Sequence, residues 1–354
     1  MIRFKKTLSA LKRKGNYETR SKFILNLDRN ENIRGLNIKQ RNKLYNKLKK
    51  ININFYPNLK NTYKKLSKFL KVSSEKILIT EGVSGGIKNI LDSIDFDKNS
   101  EIIIPKPTFA LYEIYSKLYG IKIKTFNYSK SFELDHFQIL KLINKNTMVV
   151  FLPLPNIPIE GIIDYKVVQN IAKKLYSKKI LLAIDEVYFP FGKITFKNLI
   201  NNFDNVVIMR SFSKSYGLAG ARIGCLISNK KNINIFNNTK GGYETNILSA
   251  KTLEFAIENN HISNKYVKDT KSGMNYLKNK LDLLKIEYFG GVNGNFIFIN
   301  LKNSKKAQKI YKRLKDNKIA TRYSFIGQFR TGILVTGCPK LEMKKFVKIF
   351  IKLI

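Results

Sequence analysis

The sequence has only two cysteines, two histidines and no tryptophan among its 354 residues. Cys225 and Cys338 lie far apart and neither belongs to a Cys-x-x-Cys pair, so a disulfide framework or a zinc site is not expected. His136 and His261 lie near no other candidate catalytic group in the sequence, which argues against histidine triads and multi-histidine metal sites. The function must therefore depend on other side chains, and a reducing, cytoplasmic setting is the default expectation.

Long apolar runs are also missing. No run approaches the roughly 20 residues that cross a bilayer, and the basic residues 1–6 are not followed by an apolar signal core. We therefore expect neither secretion nor a membrane partner. With 44% hydrophobic residues, the chain can bury a sizeable core as one large domain or as two of ordinary size.

Acidic residues are scarce, with 25 Asp and Glu against 66 Lys and Arg, and the formal net charge is +41. A charge of this size favours nucleic acid and anionic membranes electrostatically. The basic residues are nevertheless dispersed among abundant Asn and Ile, as biased genomic base composition produces, and no RNA-recognition motif or zinc finger accompanies them. We favour dispersed charge with no nucleic-acid partner, an interpretation that also suits anionic, phosphorylated substrates.

From about residue 60 to 230, short apolar runs alternate with helical segments, which predicts an α/β fold with a mostly parallel sheet between helices. After about residue 250, lysine-rich helical stretches and further strands predict a smaller α/β domain. We divide the chain into an N-terminal arm and small-domain segment (1–50), a large domain (51–250) and a small C-terminal domain (251–354). The predicted strands are Lys76–Thr80, Glu101–Pro105, Ile121–Phe126, Met148–Leu152, Ile180–Ile184, Val206–Met209, Arg222–Ser228, Asn295–Leu301 and Gly332–Val335. The predicted helices are Tyr63–Leu70, Ser84–Ile94, Phe109–Leu118, Tyr165–Tyr176, Ala307–Leu314 and Leu341 to the C-terminus.

The segment that is most informative about function is 210–224, which reads RSFSKSYGLAGARIG. Functional groups collect at strand ends, and Lys214 follows the apolar run Val206–Met209. An amine held among apolar and cationic neighbours is partly deprotonated, and the neutral form is the nucleophile that makes a Schiff base with an aldehyde. Arg222 can supply a fixed cation for a phosphate. Any single lysine in such a chain is more often a surface charge, but Lys214 is distinguished by these neighbours.

The pattern Ser-x-Ser-Lys-x-x-Gly-x-x-Gly-x-Arg-x-Gly resembles the pyridoxal-phosphate lysine signature of the fold-type I aminotransferases (class I/II), in particular the histidinol-phosphate aminotransferase group. The motif Ala183–Tyr188, with Asp185 and Tyr188, resembles the same family. The resemblance runs from about residue 26 to the C-terminus. It implies a fold-type I PLP-transferase, pyridoxal 5'-phosphate as cofactor and a homodimer with active sites at the subunit boundary.

By this resemblance, Lys214 forms the Schiff base and then acts as general base, and Asp185 keeps the pyridine nitrogen protonated. Tyr188 and Asn156 bond the ring hydroxyl of the cofactor. Phe109 stacks on the ring, with Tyr112 as the nearby alternative. The resemblance assigns the cofactor phosphate to Gly82, Val83, Ser84, Ser211, Ser213 and Arg222. It also implies that Tyr56 reaches the cofactor phosphate of the neighbouring subunit and that Arg322 contacts the phosphorylated substrate.

The sequence departs from the family pattern at two informative places. In the turn that carries Asn156, Ile157 replaces a second asparagine and an inserted glutamate, Glu160, precedes the glycine. In the strand Gly332–Val335, Ile333 occupies the position of the arginine that grips an α-carboxylate, and Arg330 is a candidate to replace that arginine.

Two enzymatic hypotheses follow. We favour an aminotransferase for a small phosphorylated amine or its keto partner, since such a substrate presents no carboxylate in one half-reaction. The alternative is a decarboxylase of a phosphorylated amino acid such as O-phosphoserine or O-phosphothreonine, whose carboxylate must be held loosely. A third hypothesis, a nucleic-acid-binding protein on a decayed enzyme scaffold, explains the charge but not the retained motifs.

Overall fold

A computed structural model describes residues 20–129, 135, 137–161, 164–323 and 325–354. Residues 1–19 of the predicted N-terminal arm and His136 lie outside the described residues. In the part of the chain that the structure describes, no helix combines the length and the apolar composition that a bilayer crossing requires.

The strands in chain order are β1 (Leu25–Asn26), β2 (Ile77–Thr80), β3 (Glu101–Lys106), β4 (Lys122–Asn127), β5 (Thr147–Pro153), β6 (Leu181–Asp185), β7 (Val206–Ser211), β8 (Gly224–Ile227), β9 (Tyr288–Gly290), β10 (Phe296–Asn300), β11 (Ile319–Ala320) and β12 (Gly332–Thr336). A seven-stranded sheet, ordered β2-β8-β7-β6-β5-β3-β4, forms the centre of the molecule. Within this sheet only β8 runs opposite to the other six strands, so the prediction of a mostly parallel sheet is confirmed.

The apolar runs become strands because both faces of this sheet are covered. Ile79, Ile103 and Val150 pack in the core on one face, whereas their chain neighbours Leu78 and Ile102 pack in the core on the other. A strand buried on both faces needs apolar residues at every position, which is why these segments read as continuous hydrophobic runs.

Helices cover the sheet and hold more of the described residues than the strands do. The helices that the sequence predicted are present, with bounds that differ by a few residues, whereas the helices Ile38–Leu48, Phe137–Leu142 and Lys230–Asn237 were not predicted. The helices in chain order are α1 (Ile38–Leu48), α2 (Lys60–Leu70), α3 (Gly82–Asp92), α4 (Ala110–Tyr119), α5 (Phe137–Leu142), α6 (Tyr165–Tyr176), α7 (Lys230–Asn237), α8 (Ile247–Glu258), α9 (Asn260–Leu283), α10 (Ser304–Asp316) and α11 (Lys340–Ile351).

The C-terminal part has its own core around the antiparallel sheet β12-β10-β9. The short strand β1 pairs in parallel with β11, so the N-terminal segment joins this C-terminal unit. Leu25 and Leu27 contribute to the same core. This pairing agrees with an N-terminal small-domain segment, while the domain boundaries at residues 50 and 250 stay predictions.

Candidate active site

The polar residues singled out in the sequence follow the carboxyl ends of neighbouring strands. Pro153 of β5 lies opposite Asp185 of β6, and Asp185 lies opposite Met209 of β7. The segments that leave these three strands therefore emerge at one edge of the sheet, where ligands bind in open α/β folds.

A cavity of about 430 Å³ opens at this edge. All the predicted cofactor-site residues except Tyr56 contribute to its wall, although they come from six separate segments of the chain. The predicted residues that line it are Gly82, Val83, Ser84, Phe109, Asn156, Asp185, Tyr188, Ser211, Ser213, Lys214 and Arg222.

Lys214 projects its amine into this cavity from the loop after β7. Its Nζ donates a hydrogen bond to the carbonyl oxygen of Arg29 at 2.9 Å. Burial lowers the pKa of Lys214 to about 8, although the carboxylates of Glu31 and Asp185 oppose that change. Near neutral pH roughly a tenth of the amine is therefore in the neutral, nucleophilic form.

Asp185 is buried at the end of β6 and forms two hydrogen bonds within the protein. Its Oδ2 accepts from the Tyr112 hydroxyl at 2.5 Å and its Oδ1 accepts from the Val187 backbone N–H at 2.9 Å. Burial raises the pKa of Asp185 to about 6, against the effect of both hydrogen bonds. A buried carboxylate of this kind is stabilised by a cation placed beside it.

The contact with Tyr112 is absent from the sequence interpretation, which treats Tyr112 only as an alternative stacking residue. Tyr112 is fully buried, whereas Phe109 is 39% exposed and faces the cavity. The two rings meet edge to face at 6.0 Å. Of the two rings, therefore, Phe109 lines the cavity and Tyr112 makes a supporting contact with Asp185.

A cradle for an anion lies at the start of α3. Gly82 adopts φ +63°, and a Cβ atom there would lie 3.1 Å from Nη2 of Arg222. Arg222 donates from Nη2 to the Ser84 hydroxyl at 2.9 Å. Free backbone N–H groups of a helix N-terminus and a fixed guanidinium together suit a phosphate.

Tyr188 and Asn156 differ in the hydrogen atoms they can offer to a ligand. Tyr188 accepts a hydrogen bond from Nδ2 of Asn30 at 2.8 Å, which leaves its own hydroxyl hydrogen to donate. Asn156 already donates both amide hydrogens, to the Pro107 carbonyl at 2.9 Å and to the Tyr128 hydroxyl at 2.5 Å. Asn156 therefore has to release one of these bonds before it can donate to a ligand.

Asn30 is a site residue that sequence reasoning missed. It is 4% exposed, and besides its bond to Tyr188 its backbone N–H donates to the Thr336 hydroxyl at 2.9 Å. Asn30 begins the segment NENIRG at residues 30–35, which is too short a pattern to identify a site residue by itself.

Two predicted residues lie outside the first cavity. Arg322 lines an adjoining cavity of about 400 Å³ that shares Lys214 and Tyr188 with the first, and burial lowers the pKa of its guanidinium. Tyr56 is 81% exposed and stacks on Tyr243, with ring centroids 4.9 Å apart.

The strand β12 provides no cation for a carboxylate. Ile333 is fully buried and packs in the core of the C-terminal unit, and Leu334 packs in the core that includes Tyr188. Arg330 is exposed and lines neither cavity, so the structure does not support it as a replacement for the missing arginine.

The comparisons with known proteins agree with this architecture. The family model for aminotransferase class I and II matches residues 24–348, and the chain belongs to this family. It is 31% identical over 333 residues to a histidinol-phosphate aminotransferase from Methanococcus aeolicus, covering 92% of this chain and 85% of the relative.

Solved structures share the fold at lower identity. A histidinol-phosphate aminotransferase from Sinorhizobium meliloti in complex with pyridoxal-5'-phosphate superposes with a TM-score of 0.88 at 18% identity, covering 100% of this chain and 99% of that one. The L-threonine-O-3-phosphate decarboxylase from Porphyromonas gingivalis gives a TM-score of 0.76 at 19% identity, covering 93% and 99%. The predicted fold-type I architecture and the prediction that the chain is a transaminase are therefore confirmed.

Pyridoxal phosphate is the cofactor of this family, and the residues present fit it. The buried carboxylate of Asp185 forms no salt bridge with a described residue, so a protonated ring nitrogen can supply the missing cation. The cradle beside Gly82 and Arg222 suits the phosphate, and the amine of Lys214 lies in the same cavity.

Proposed function

We propose that this protein is a pyridoxal-phosphate-dependent aminotransferase for a small phosphorylated amine, with Lys214 as the residue that attaches to the cofactor aldehyde. The observation that carries this proposal is a lysine whose pKa is lowered to about 8 in the same cavity as the buried carboxylate of Asp185. Solvated surface lysines keep a pKa near 10.4, so the burial of Lys214 separates it from the surface lysines of this basic chain.

The bound cofactor supplies an electron sink that acidifies the hydrogen on the substrate carbon next to nitrogen. Asp185 would keep the proton on the ring nitrogen of the bound cofactor, and Tyr112 holds Asp185 in place through its hydroxyl. Lys214 Nζ is the base that takes the proton from the substrate carbon. Tyr188 would donate its hydroxyl hydrogen to the ring oxygen of the bound cofactor, and Phe109 would cover the ring.

The cofactor phosphate is assigned to the start of α3. Gly82, Val83 and Ser84 present backbone N–H groups there, and the Arg222 guanidinium adds the charge. Ser211 and Ser213 complete the wall of this end of the cavity.

The adjoining cavity is assigned to the substrate. Arg322 is half-buried there, and within the described ranges its guanidinium forms no salt bridge, so its charge is available for the phosphate of the substrate. The relatives named histidinol-phosphate aminotransferase support an amino-alcohol phosphate of that kind, which carries no carboxylate. The missing arginine in β12 is tolerable for such a substrate.

A homodimer in the cytoplasm completes the proposal. Tyr56 is exposed beside Ile53 and Phe55, which are 71% and 68% exposed, so this segment offers apolar surface to a second subunit. We assign Tyr56 to the cofactor phosphate of that subunit. Analytical ultracentrifugation tests the dimer directly, because a monomeric holoenzyme contradicts this assignment.

A decarboxylase of a phosphorylated amino acid is the second candidate. The observation that favours it is the lack of a cation along β12, since decarboxylation requires a loosely held carboxylate. Both reactions use the same lysine and the same cofactor site, so the site residues do not distinguish them.

The test is to mix the cofactor-loaded protein with L-histidinol phosphate alone and to follow the visible absorbance of the cofactor. We expect the aldehyde form of the cofactor to convert to its amine form, and we expect Lys214→Ala to abolish this conversion. Lys197→Ala is the matched control, because Lys197 also has a pKa lowered by burial but donates to the Leu70 carbonyl outside the cavity. Carbon dioxide from O-phosphothreonine without conversion by L-histidinol phosphate would favour the decarboxylase, and neither result would refute both functions.

A further inference from the structure

The inserted glutamate of the Asn156 turn is one of the most completely buried charges in the protein. Glu160 is 2% exposed, and its carboxylate accepts three backbone N–H groups from one loop of the C-terminal unit. Val292 and Gly294 donate to Oε1 at 3.0 and 2.8 Å, and Asn293 donates to Oε2 at 2.9 Å. We call this contact the Glu160 clasp.

Backbone donors take the place of a cation in the Glu160 clasp. Within the described ranges Glu160 forms no salt bridge, and the nearby Lys278 instead donates from Nζ to the Gly291 carbonyl at 2.9 Å. A buried carboxylate is tolerated when several N–H groups converge on it. The loop 292–294 is therefore held in one conformation by the charge of Glu160.

The main chain of Glu160 is bound to the turn that carries Asn156. Asn156 and Glu160 exchange two backbone hydrogen bonds of 2.7 Å each. The Asn156 side chain lies in the wall of the cofactor cavity. Glu160 therefore connects this wall to the loop of the C-terminal unit.

The same loop also connects, through Asn295 and Asn30, to Tyr188 in the wall of the cavity. Asn295 donates from Nδ2 to the carbonyl of Asn30 at 3.1 Å, and Asn30 donates from its own side chain to the Tyr188 hydroxyl at 2.8 Å. A chain of hydrogen bonds and one short loop thus connects Glu160 with both residues assigned to the ring oxygen, Asn156 and Tyr188.

We propose that Glu160 is a positioning residue: its main chain fixes Asn156, and its carboxylate fixes Tyr188 through loop 292–295, so that both residues face the ring oxygen of the cofactor. The inference rests on the proposed function because it needs pyridoxal phosphate in this cavity. The phosphate end of the cavity is built from other segments, so Glu160 acts on the ring end alone.

The test compares Glu160→Gln with Glu254→Gln in the full chain. Glu254 is a matched control, because it is 1% exposed, accepts hydrogen bonds from Thr62, Lys65 and Lys251, and lines neither cavity. In Glu160→Gln the amide group replaces one acceptor oxygen, so at least one loop N–H loses its partner.

Three quantities are measured for each variant: the dissociation constant of pyridoxal phosphate, the dissociation constant of inorganic phosphate, and the thermal midpoint of the apo-protein. We expect Glu160→Gln to bind pyridoxal phosphate about fivefold more weakly, the effect of losing one aligned hydrogen bond. We expect its inorganic phosphate affinity and the cofactor affinity of Glu254→Gln to match the wild type. The visible circular dichroism of the bound cofactor should change in Glu160→Gln alone.

A lower thermal midpoint with unchanged cofactor affinity and dichroism would overturn the proposal, because Glu160 would then be only structural. Equal weakening of both ligands would overturn it as well. Glu160→Asp keeps the charge with a shorter reach and should recover part of the affinity, and it provides the same comparison if the glutamine variant is insoluble. Failure of the wild type to bind pyridoxal phosphate would instead refute the proposed function.

Discussion

Replacing Tyr112 with phenylalanine removes one hydroxyl group and keeps an aromatic ring in the same buried place. The ring packs against Phe151 at 4.9 Å and is fully buried, so its packing is preserved. The substitution removes the hydrogen bond that Oδ2 of Asp185 accepts from the Tyr112 hydroxyl at 2.5 Å. After the substitution, Asp185 keeps only the backbone hydrogen bond from Val187.

The size of the effect depends on the charge of Asp185. A hydrogen bond to a charged group contributes about 1.5–3 kcal/mol, and one between neutral groups about 0.5–1.5 kcal/mol. Because about 1.4 kcal/mol corresponds to one pKa unit, losing the bond raises the pKa of Asp185 from about 6 to about 7 or above.

The sign of the pH dependence follows from the direction of the pKa change. Asp185 has a higher pKa in the folded protein than its ordinary value of 3.8, so its contribution to stability is fully present below pH 3.8 and is lost as the pH rises through 6. Tyr112→Phe extends that loss to higher pH. We therefore expect the apo-variant to lose about 1.5–3 kcal/mol at pH 8 and about 0.5–1.5 kcal/mol at pH 5.

Urea unfolding of the apo-proteins at both pH values measures this difference. Tyr119→Phe is the matched control, because the Tyr119 hydroxyl donates to the carboxylate of Asp92 near the surface. Its effect should be small at both pH values because exposed polar contacts contribute little. A free-energy loss for Tyr112→Phe that is the same at pH 5 and pH 8 would refute the assignment of a buried, ionisable Asp185.

Three further predictions concern the phosphate end, the substrate cavity and the lysine. Gly82→Ala places a side chain at φ +63°, which costs about 1–2 kcal/mol, and crowds the guanidinium of Arg222. Calorimetry should therefore show weaker binding of inorganic phosphate. Gly241→Ala is the control and should bind phosphate normally, because the space around Gly241 is open. Arg322→Ala should raise KM for the phosphorylated amine at least tenfold by removing a charged partner, and the exposed Arg330→Ala should leave it unchanged. The rate at which the apo-protein binds pyridoxal phosphate should rise with pH around a midpoint near 8, because only the neutral amine of Lys214 reacts. A rate that does not change between pH 6 and 9 would contradict the pKa assigned to Lys214.

The sequence allowed most of the fold to be predicted, because strands buried on both faces read as apolar runs. Some short elements were not predicted, for a physical reason. The strand Leu25–Asn26 has two residues and is stabilised by pairing with Ile319 and Ala320, almost 300 positions away. The helix Ile38–Leu48 buries only Leu44, so it has almost no apolar periodicity to detect.

Site residues within motifs were predictable, and those defined by distant contacts were not. The lysine segment is a long ordered pattern, so Lys214 and Arg222 could be chosen from sequence. The contacts of Tyr112 with Asp185 and of Glu160 with loop 292–294 join segments 73 or more positions apart. Local pattern carries no information about such pairs, and only the fold brings them together.

The most direct test of the account is to reduce the cofactor-loaded protein with sodium borohydride and to map the modified peptide by mass spectrometry. Reduction makes the link between a lysine and the cofactor permanent, so the mass of the peptide identifies the residue. We expect modification at Lys214 alone, in a chain whose lysines and arginines together number 66. Modification of a different lysine, or of none, would contradict it.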